Sequence, residues 1–546
     1  GKVLKMGANT ILDAAGKLTL KAGATGTASV GVIPANSSIR GQVTVEKYVQ
    51  GGSKDMWRTY RMWSSPVYDN TVDFTNANTV GNRTYKFAQF IDDVIITGAG
   101  GAANGFDVNL TNNASAWTYN NGFIAIPNIN TSVNVGRGAY LYYRGNRDNY
   151  DQKINAPYLD AESMVITFKG TLNQQSITVP LVHGSTGFSM LGNPYASTID
   201  WTAVTKTANI DQILRMWNPA CRQYATFNGE FGVNGGSNYI GPGQAFFVLT
   251  KDNASPSVTF TESSKVTATI PQQAPLYNTV MSVGEKRSGG SSAIMAVSES
   301  ALQQPSAKIR VKLLKDNTEN SDEALIVLRA NEKANYADND VPRSGGETVF
   351  LSSLSADAKE LAINYMPEIS MVSNVPLSVN ASTNGSYLLE INLNDLPLGY
   401  NVQLKDKYLN RITDLSTNGA SYTLNIDKAQ SASFGANRFE LLIAPASTLP
   451  VVFKDFAGDK VNEGVRLKWS TSSETNNDYF EVLRAGEEQI YTSIGTVPSG
   501  QAGVYSLLDK APLKGNNYYR LTQVDQDGKS SEFPNLVVVN YDLNAT

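Results

Sequence analysis

The sequence predicts an all-β protein: tandem antiparallel β-sandwiches, a short β-arch or solenoid-like segment at the N-terminus and an immunoglobulin-like module at the C-terminus. Two observations carry that expectation. Apolar and polar residues alternate in run after run, as where Val465, Leu467 and Trp469 interleave with Arg466, Lys468 and Ser470, the pattern of a strand with one buried face. Between the runs lie turn formers, with 45 Gly and 21 Pro beside 26 Tyr, a mixture suited to short strands joined by tight turns. At 546 residues the chain has length for several domains, each able to bury a core without stapling.

Residues 1–46 hold short apolar triplets separated by Gly, Ala, Asn and Thr, a spacing that fits either β-arches and the last coils of a solenoid or a pair of hairpins docked on the next domain. A solenoid coil here would make Gly1 a cut through a longer stack. Residues 47–270 form a large β-sandwich in this scheme, from the runs QVTVEKYV (beginning at Gln42), WRTYRMWSSPV, GFIAIPNI, GAYLYYRG, MVITFKG, SITVPLV, GFSMLGNPY, QAFFVLT and SVTF. Gly192-Asn193-Pro194-Tyr195 is expected to be a turn closing a buried strand. Residues 271–446 form a second sandwich, from AIMAVS, KIRVKLL, EALIVLR, VPLSV, YLLEINL, YNVQLKD, SYTLNI and RFELLI. Asn384-Gly385 and Asn418-Gly419 predict hairpin turns. Ser355 to Ile363, SADAKELAI, is the best helix candidate, with Ser355 as N-cap.

Residues 447–546 are the terminal module. Alternation in VRLKWS and around Phe480 and Val482, split by Asn-Asp, Gly and Pro turns, predicts one small sandwich with Trp469 in its core. Asp525-Gln526-Asp527-Gly528 resembles a calcium loop only superficially. The next carboxylate, Glu532, comes too early for the twelfth position, and Asp-Gly suits a tight hairpin.

The run LPVVFKDFAGDKVNEGVRLKWSTSSETNNDYFEVLRA, followed by GNNYYRLTQVDQDGKSSEF, resembles the fibronectin type III-like module that precedes the C-terminal sorting domain of type IX secretion system cargo. WRTYRMWSSPV, GRGAYLYYRGNR, GFSMLGNPYASTIDW and GVNGGSNYIGPGQAFFV are similar to blocks of large surface proteins exported by that route. The resemblance implies a secreted or cell-surface protein that meets the type IX machinery during export. Such cargo normally continues into a sorting domain beyond a position like Thr546.

Composition excludes several functions. A formal charge of −4 with scattered Lys and Arg argues against a nucleic-acid partner. One cysteine, Cys221, and one histidine, His183, cannot build a thiolate or imidazole zinc site within one chain, and no cofactor is expected. No apolar run approaches the roughly 20 residues of a transmembrane helix.

His183, in VPLVHGSTGFSM, is expected to be a turn histidine satisfied by its neighbours, since no nucleophile elbow accompanies it. Asp92-Asp93 and Asp322-Glu323 are adjacent on expected strands, hence on opposite faces, and are taken as solvated charges at strand ends. Aromatics are the better lead, because exposed rings stack on sugars. Candidates are Trp117, Tyr119, Tyr224 and Tyr239, after Tyr140, Tyr142 and Tyr143; Trp117 is placed in the polar loop TNNASAWTYNNG, and Trp57, Trp63 and Trp469 in strand cores. Recognition is expected from the long loops Gly98–Asn121 and Asn228–Tyr239.

The expected function is that of a non-catalytic structural or adhesive protein at the cell surface. The alternatives are a glycan-binding or carbohydrate-active surface protein, with surface or host glycans as partners, and a subunit of an extracellular filament or layer.

Overall fold

A computed structural model describes residues 2–69, 82–266, 307–315, 320–369, 372–396, 400–445, 452–474, 477–500, 503–525, 528, 530–533 and 535–542. The run AIMAVS and the expected boundary at 270/271 lie outside these residues. Among the described residues strand accounts for 52% and helix for 6%, an all-β fold.

The N-terminal segment resolves in favour of coils. Val3–Leu4 pairs in parallel with Ser29–Val30, Ile11–Asp13 with Ser38–Arg40, and Leu18–Leu20 with the first half of Gln42–Val49. Three successive strands of one coil thus lie on three of the next. Only the Ala22–Gly23 and Gly26–Thr27 pair is a local hairpin. The coils are continuous with the adjoining sandwich, because Ala14, Leu20, Val30, Ile33 and Ile39 share one core with Val43, Trp63, Phe90, Ile166 and Phe168.

The runs expected between Gln42 and Phe260 all contain strands, but they build two large cores and a smaller cluster around Met62, Tyr140, Trp217 and Phe247. Gln42–Val49 pairs antiparallel with Met164–Leu172 over the first. A five-stranded sheet, in the order Phe188–Gly192, Ala245–Thr250, Ile210–Asn218, Gln223–Phe227 and Gly232–Val233, covers the second with Leu214, Met216, Phe246 and Val248. Asn193 makes the expected turn after Gly192: its Nδ2 donates to the carbonyls of Ser197, Ile240 and Gly241, and its Oδ1 accepts from the Tyr195 amide. Trp57 is buried, though it sits in the single helical turn Lys54–Trp57 and not in a strand.

The second unit is one continuous sheet instead of two facing ones. Eleven strands between Ala307 and Pro445 curl into a nearly closed barrel around a single core. One end strand, Ser421–Ile426, reaches the other end of the sheet through side chains: Tyr422 donates to Asp406 on Tyr400–Asp406, the strand next to the far edge, and the Asp406 carboxylate also binds the Arg438 guanidinium at 2.9 Å, with Asp406 and Arg438 almost wholly buried. Burial works to raise the Asp406 pKa, but Arg438, the Leu409 amide and Tyr422 together hold it below the ordinary carboxylate value.

Three local expectations are corrected here. Ser355–Ile363 is a β-hairpin turn and strand: Val349–Leu354 pairs with Glu360–Met366, Ser355 Oγ accepts from the Lys359 amide, and Ala358 sits at φ +63°. The helical propensity of SADAKELAI lost to the burial of Leu361 and Ile363 in the sheet. Asn384-Gly385 and Asn418-Gly419 do not close hairpins. Gly385–Asn392 pairs with Ala307–Lys315 and Ser421–Ile426, not with the preceding Ser373–Ala381. Likewise Ser421–Ile426 does not pair with Arg411–Asp414. Gly419 has φ +80°, as its turn chemistry requires, but an arch between strands that do not pair needs that conformation as much as a hairpin does.

The terminal module sets a three-stranded sheet, Val452–Val461, Gly464–Ser473 and Val504–Asp509, against one built on Thr492–Pro498, Asn477–Ala485 and Gly515–Asp525, with Ser530–Glu532 and Val537–Tyr541 pairing along the last of these. Trp469 is 1% exposed within its core. Gly528, at φ +81°, donates to the Asp525 carbonyl in the turn between Gly515–Asp525 and Ser530–Glu532.

Candidate functional site

The five-stranded sheet positions the site by simple alternation. In Ile210–Asn218, Leu214 and Met216 enter the core, so Ile213 and Arg215 emerge on the other face; in Ala245–Thr250, Phe246 and Val248 enter it and Phe247 and Leu249 emerge. Register then sets these residues side by side, with Arg215 opposite Phe247 and Phe188 opposite Leu249. The outward face floors a cavity of about 710 Å³.

One side of the cavity is the hairpin of Ala116–Tyr119 and Phe123–Ala125, which brings Tyr119 and Phe123. The opposite wall is the barrel segment from Tyr336 to Gly345. Phe247 is the centre of an aromatic cluster: Tyr119 meets it edge to face at 4.9 Å, Phe188 at 6.1 Å and Tyr224 at 6.4 Å. Edge-to-face packing fixes the rings before any ligand arrives. Phe123 and Tyr336, 45% exposed, add accessible rings at the rim. Burial raises the Tyr224 pKa, opposed by its hydrogen bond with Tyr140, so its hydroxyl is neutral at physiological pH.

The polar lining is mostly committed to the protein. Asp340 accepts from the amides of Tyr365 and Ala337, one with each oxygen, and burial raises its pKa above the usual carboxylate value. Arg343 binds the buried Asp322 at 3.1 Å. Asp211 accepts from the Ile213 amide. Arg215 donates from Nε to Ser344 Oγ at 2.8 Å, which ties the sheet to the barrel.

That tie is one of many. Ile213, Val233, Leu325, Val327, Ile363 and Tyr365 share a small core between the two units. Asn234 donates to Glu323 from its amide and to Asp322 from Nδ2, Glu230 pairs with Arg329 and accepts from Tyr365, and Arg310 donates to the Gly232 carbonyl at 2.9 Å. The loop Asn228–Tyr239 is therefore spent on this junction and is not a free recognition loop. Nor are Asp322 and Glu323 solvated charges. Asp93 is likewise engaged, accepting from the amide and hydroxyl of Thr167.

Of the aromatics singled out in the sequence, Tyr119 and Tyr224 come together at the cavity. Trp117 lies on the strand Ala116–Tyr119, not in a loop, and packs partly buried against the aromatic cluster. Tyr239 is elsewhere, opposite Asp200 in a two-stranded pair. Tyr140 is buried behind the cavity, Tyr142 donates to the Arg58 carbonyl and Tyr143 to the Glu162 carbonyl. His183 is held at Nδ1 against the carbonyl and hydroxyl of Thr250, as a satisfied turn residue. Cys221 is buried, which pushes its thiol up to about 12. Sequence reasoning missed Phe123, Phe188, Arg215, Phe247 and Tyr336. The only local signal was the same-face spacing of Ile213 with Arg215 and of Phe247 with Leu249. Among the described residues no group of three or more His, Cys, Asp or Glu could hold a metal ion, and no helix is long and apolar enough to cross a membrane.

Fold and site define a class, an all-β protein with a preformed aromatic cavity where a sandwich sheet meets a curled barrel. The chain belongs to the family described as a domain of unknown function, DUF8693, which matches residues 12–442. No curated protein matches it. Solved structures with partial likeness include a β-1,2-glucanase from Parabacteroides distasonis (11% identity, 36% of this chain and 37% of that one, TM-score 0.14). Others are the Endo-D glycoside hydrolase domain from Streptococcus pneumoniae R6 (10%, 36% and 36%, 0.13) and dimeric latent PorU from Porphyromonas gingivalis (10%, 43% and 30%, 0.15). The chain spans about a third of the length of each, and likeness at these TM-scores carries no functional argument.

Proposed function

We propose that the chain is a non-catalytic, secreted or cell-surface binding protein whose glycan site is the aromatic cavity between sheet and barrel. The observation that carries this is the cluster of Tyr119, Phe188, Tyr224 and Phe247 held rigid at a cavity large enough for a short oligosaccharide. Ring faces stack on sugar rings, while carboxylates such as Asp211 and Asp338 accept from hydroxyls. Binding is favoured over hydrolysis because Asp340 has both oxygens on main-chain amides, unlike an acid that must exchange a proton. Export by the type IX system is supported by the terminal-module motifs and by the three-stranded sheet facing its partner in that module.

The test is a glycan array and a polysaccharide hydrolysis screen on the whole chain. Binding reduced tenfold or more by Tyr119→Ala and by Tyr224→Ala, without turnover, is the expected result. Turnover abolished by Asp211→Asn or Asp338→Asn would make the protein a carbohydrate-active enzyme instead. Fractionation of the source cells would place the protein outside or refute the secreted reading. A subunit of an extracellular filament or layer is the second reading, supported by the parallel stacking of Val3–Leu4, Ile11–Asp13 and Leu18–Leu20 on the coil that follows, a geometry that such assemblies extend. Sedimentation at high protein concentration tests it, and a strict monomer refutes it.

A further inference from the structure

Arg215 is a buried charge at the cavity that has no ion pair among the described residues. It is 6% exposed, its Nε is spent on the neutral Ser344 hydroxyl, and Nη1 is buried with no acceptor among the described residues. No carboxylate lies within ion-pair distance of it among those residues, and Asp211 of the same cavity attracts it only from further off, whereas the neighbouring Arg343 has Asp322 in contact. The guanidinium centre sits 5.4 Å from the centroid of Phe188, another wall residue. Removing an arginine from water without an anion is costly, and a guanidinium offers a planar fork of donors matched to an oxyanion. Exposed Lys251 adds a second cation at the cavity without an ion pair among the described residues.

We propose that the ligand of this cavity is an acidic saccharide whose carboxylate or sulfate group is bound by Arg215, with its ring faces on the aromatic cluster and its hydroxyls on Asp211 and Asp338. This rests on the glycan-binding reading and adds the charge of the ligand to it. Neutral sugars would leave Arg215 as it stands, buried beside an aromatic ring without a counterion in contact with it. An acidic sugar supplies that counterion, and the aspartates then act as acceptors for hydroxyls that a simple carboxylate does not carry.

The experiment is calorimetric titration of the full chain with oligogalacturonate, with the same oligomer after reduction of its carboxyl groups, with a sulfated oligosaccharide and its desulfated form, and with sodium acetate and sulfate alone. The expected result is at least tenfold tighter binding of an acidic oligomer than of its neutral counterpart, a preference that weakens with added salt. Acetate and sulfate should bind far more weakly than the oligomer. Arg215→Gln should bring the acidic oligomer to the affinity of the neutral one, and Arg215→Lys should retain part of the preference; melting of each variant confirms that it is folded.

Equal affinity of acidic and neutral oligomers for the wild type overturns this inference while leaving the glycan site standing. Failure of every saccharide overturns both. Acetate or sulfate binding as tightly as the oligomers overturns the saccharide assignment in favour of a small-anion pocket. A folded Arg215→Gln variant with the preference intact removes Arg215 from the role. The wild-type comparison decides the inference even if a variant fails to fold.

Discussion

Lys47 shows how one buried charge writes a pH dependence into the fold. Its Nζ donates to the Pro242 carbonyl at 2.6 Å, and burial lowers its pKa to about 7, against about 10.4 for a free lysine. Between those values the unfolded chain binds more protons than the native one, so stability rises as pH rises from about 7 towards 10. Denaturant unfolding at pH 7, 8 and 9 should show that rise, and Lys47→Met should flatten it; a flat wild-type profile refutes the assignment. At the same scale, Trp469 packs edge to face on Phe480 at 5.6 Å and stacks on Tyr505 at 5.8 Å. Trp469→Ala should cost the terminal module about 3 to 5 kcal/mol, the usual range for emptying a core aromatic. The readout is a shift of that module's unfolding transition to lower denaturant in the full chain, and an unchanged transition would remove Trp469 from the core.

Between elements, the barrel closes on the hydrogen bonds that one buried ion pair makes to the strand at the far end of the sheet. Arg438 and Asp406 sit on the paired strands Gly435–Pro445 and Tyr400–Asp406, and from there Arg438 donates to the Asn425 carbonyl and Asp406 accepts from Tyr422, both on Ser421–Ile426, a strand that pairs with neither. Arg438→Met leaves the Asp406 carboxylate buried without its partner, a change that typically costs about 3 to 5 kcal/mol. The sign with pH follows from the depressed carboxyl. Its contribution is present above the ordinary carboxylate value of about 4 and is lost as pH falls through the lower native value. Acid titration should therefore lose more stability in the wild type than in Arg438→Met, and equal losses would place the closure elsewhere. Strand identity was legible at this scale because alternation survives any topology. Pairing was not: Gly385 and Gly419 state a backbone conformation, and that conformation serves an arch as well as a hairpin. Ser355–Ile363 misled for a related reason, since local propensity of a few tenths of a kcal/mol per residue cannot compete with the burial of Leu361 and Ile363.

For the whole molecule, sheet and barrel are joined by a core and by several ion pairs and hydrogen bonds, and the cavity has walls from both. The two should unfold in one transition. Tyr365→Ala removes a ring that packs in that core, stacks under Arg329 at 5.0 Å and donates to Glu230. It should split the transition in two and weaken ligand binding, although Tyr365 does not line the cavity. Differential scanning calorimetry checks this, and a single unshifted peak would show the units to be coupled by other means. A ligand at about 100 times its Kd should stabilise both units together by about 2.7 kcal/mol.

By itself the sequence determined the all-β class, most of the strands, the Asn193 turn, the burial of Trp63 and Trp469 and the satisfied state of His183, because each follows from periodicity or turn chemistry within a few residues. It pointed to Tyr119 and Tyr224 as residue types suited to a ligand, without bringing them together. Only the tertiary structure decided that Phe188, Arg215, Phe247 and Tyr336 face one cavity, that Tyr239 does not, and that Asn228–Tyr239 belongs to a junction. The cavity exists where strand register within one sheet meets a loop of another unit. A charge such as Arg215 becomes chemically unusual only once folding has removed its water and left no carboxylate in contact with it.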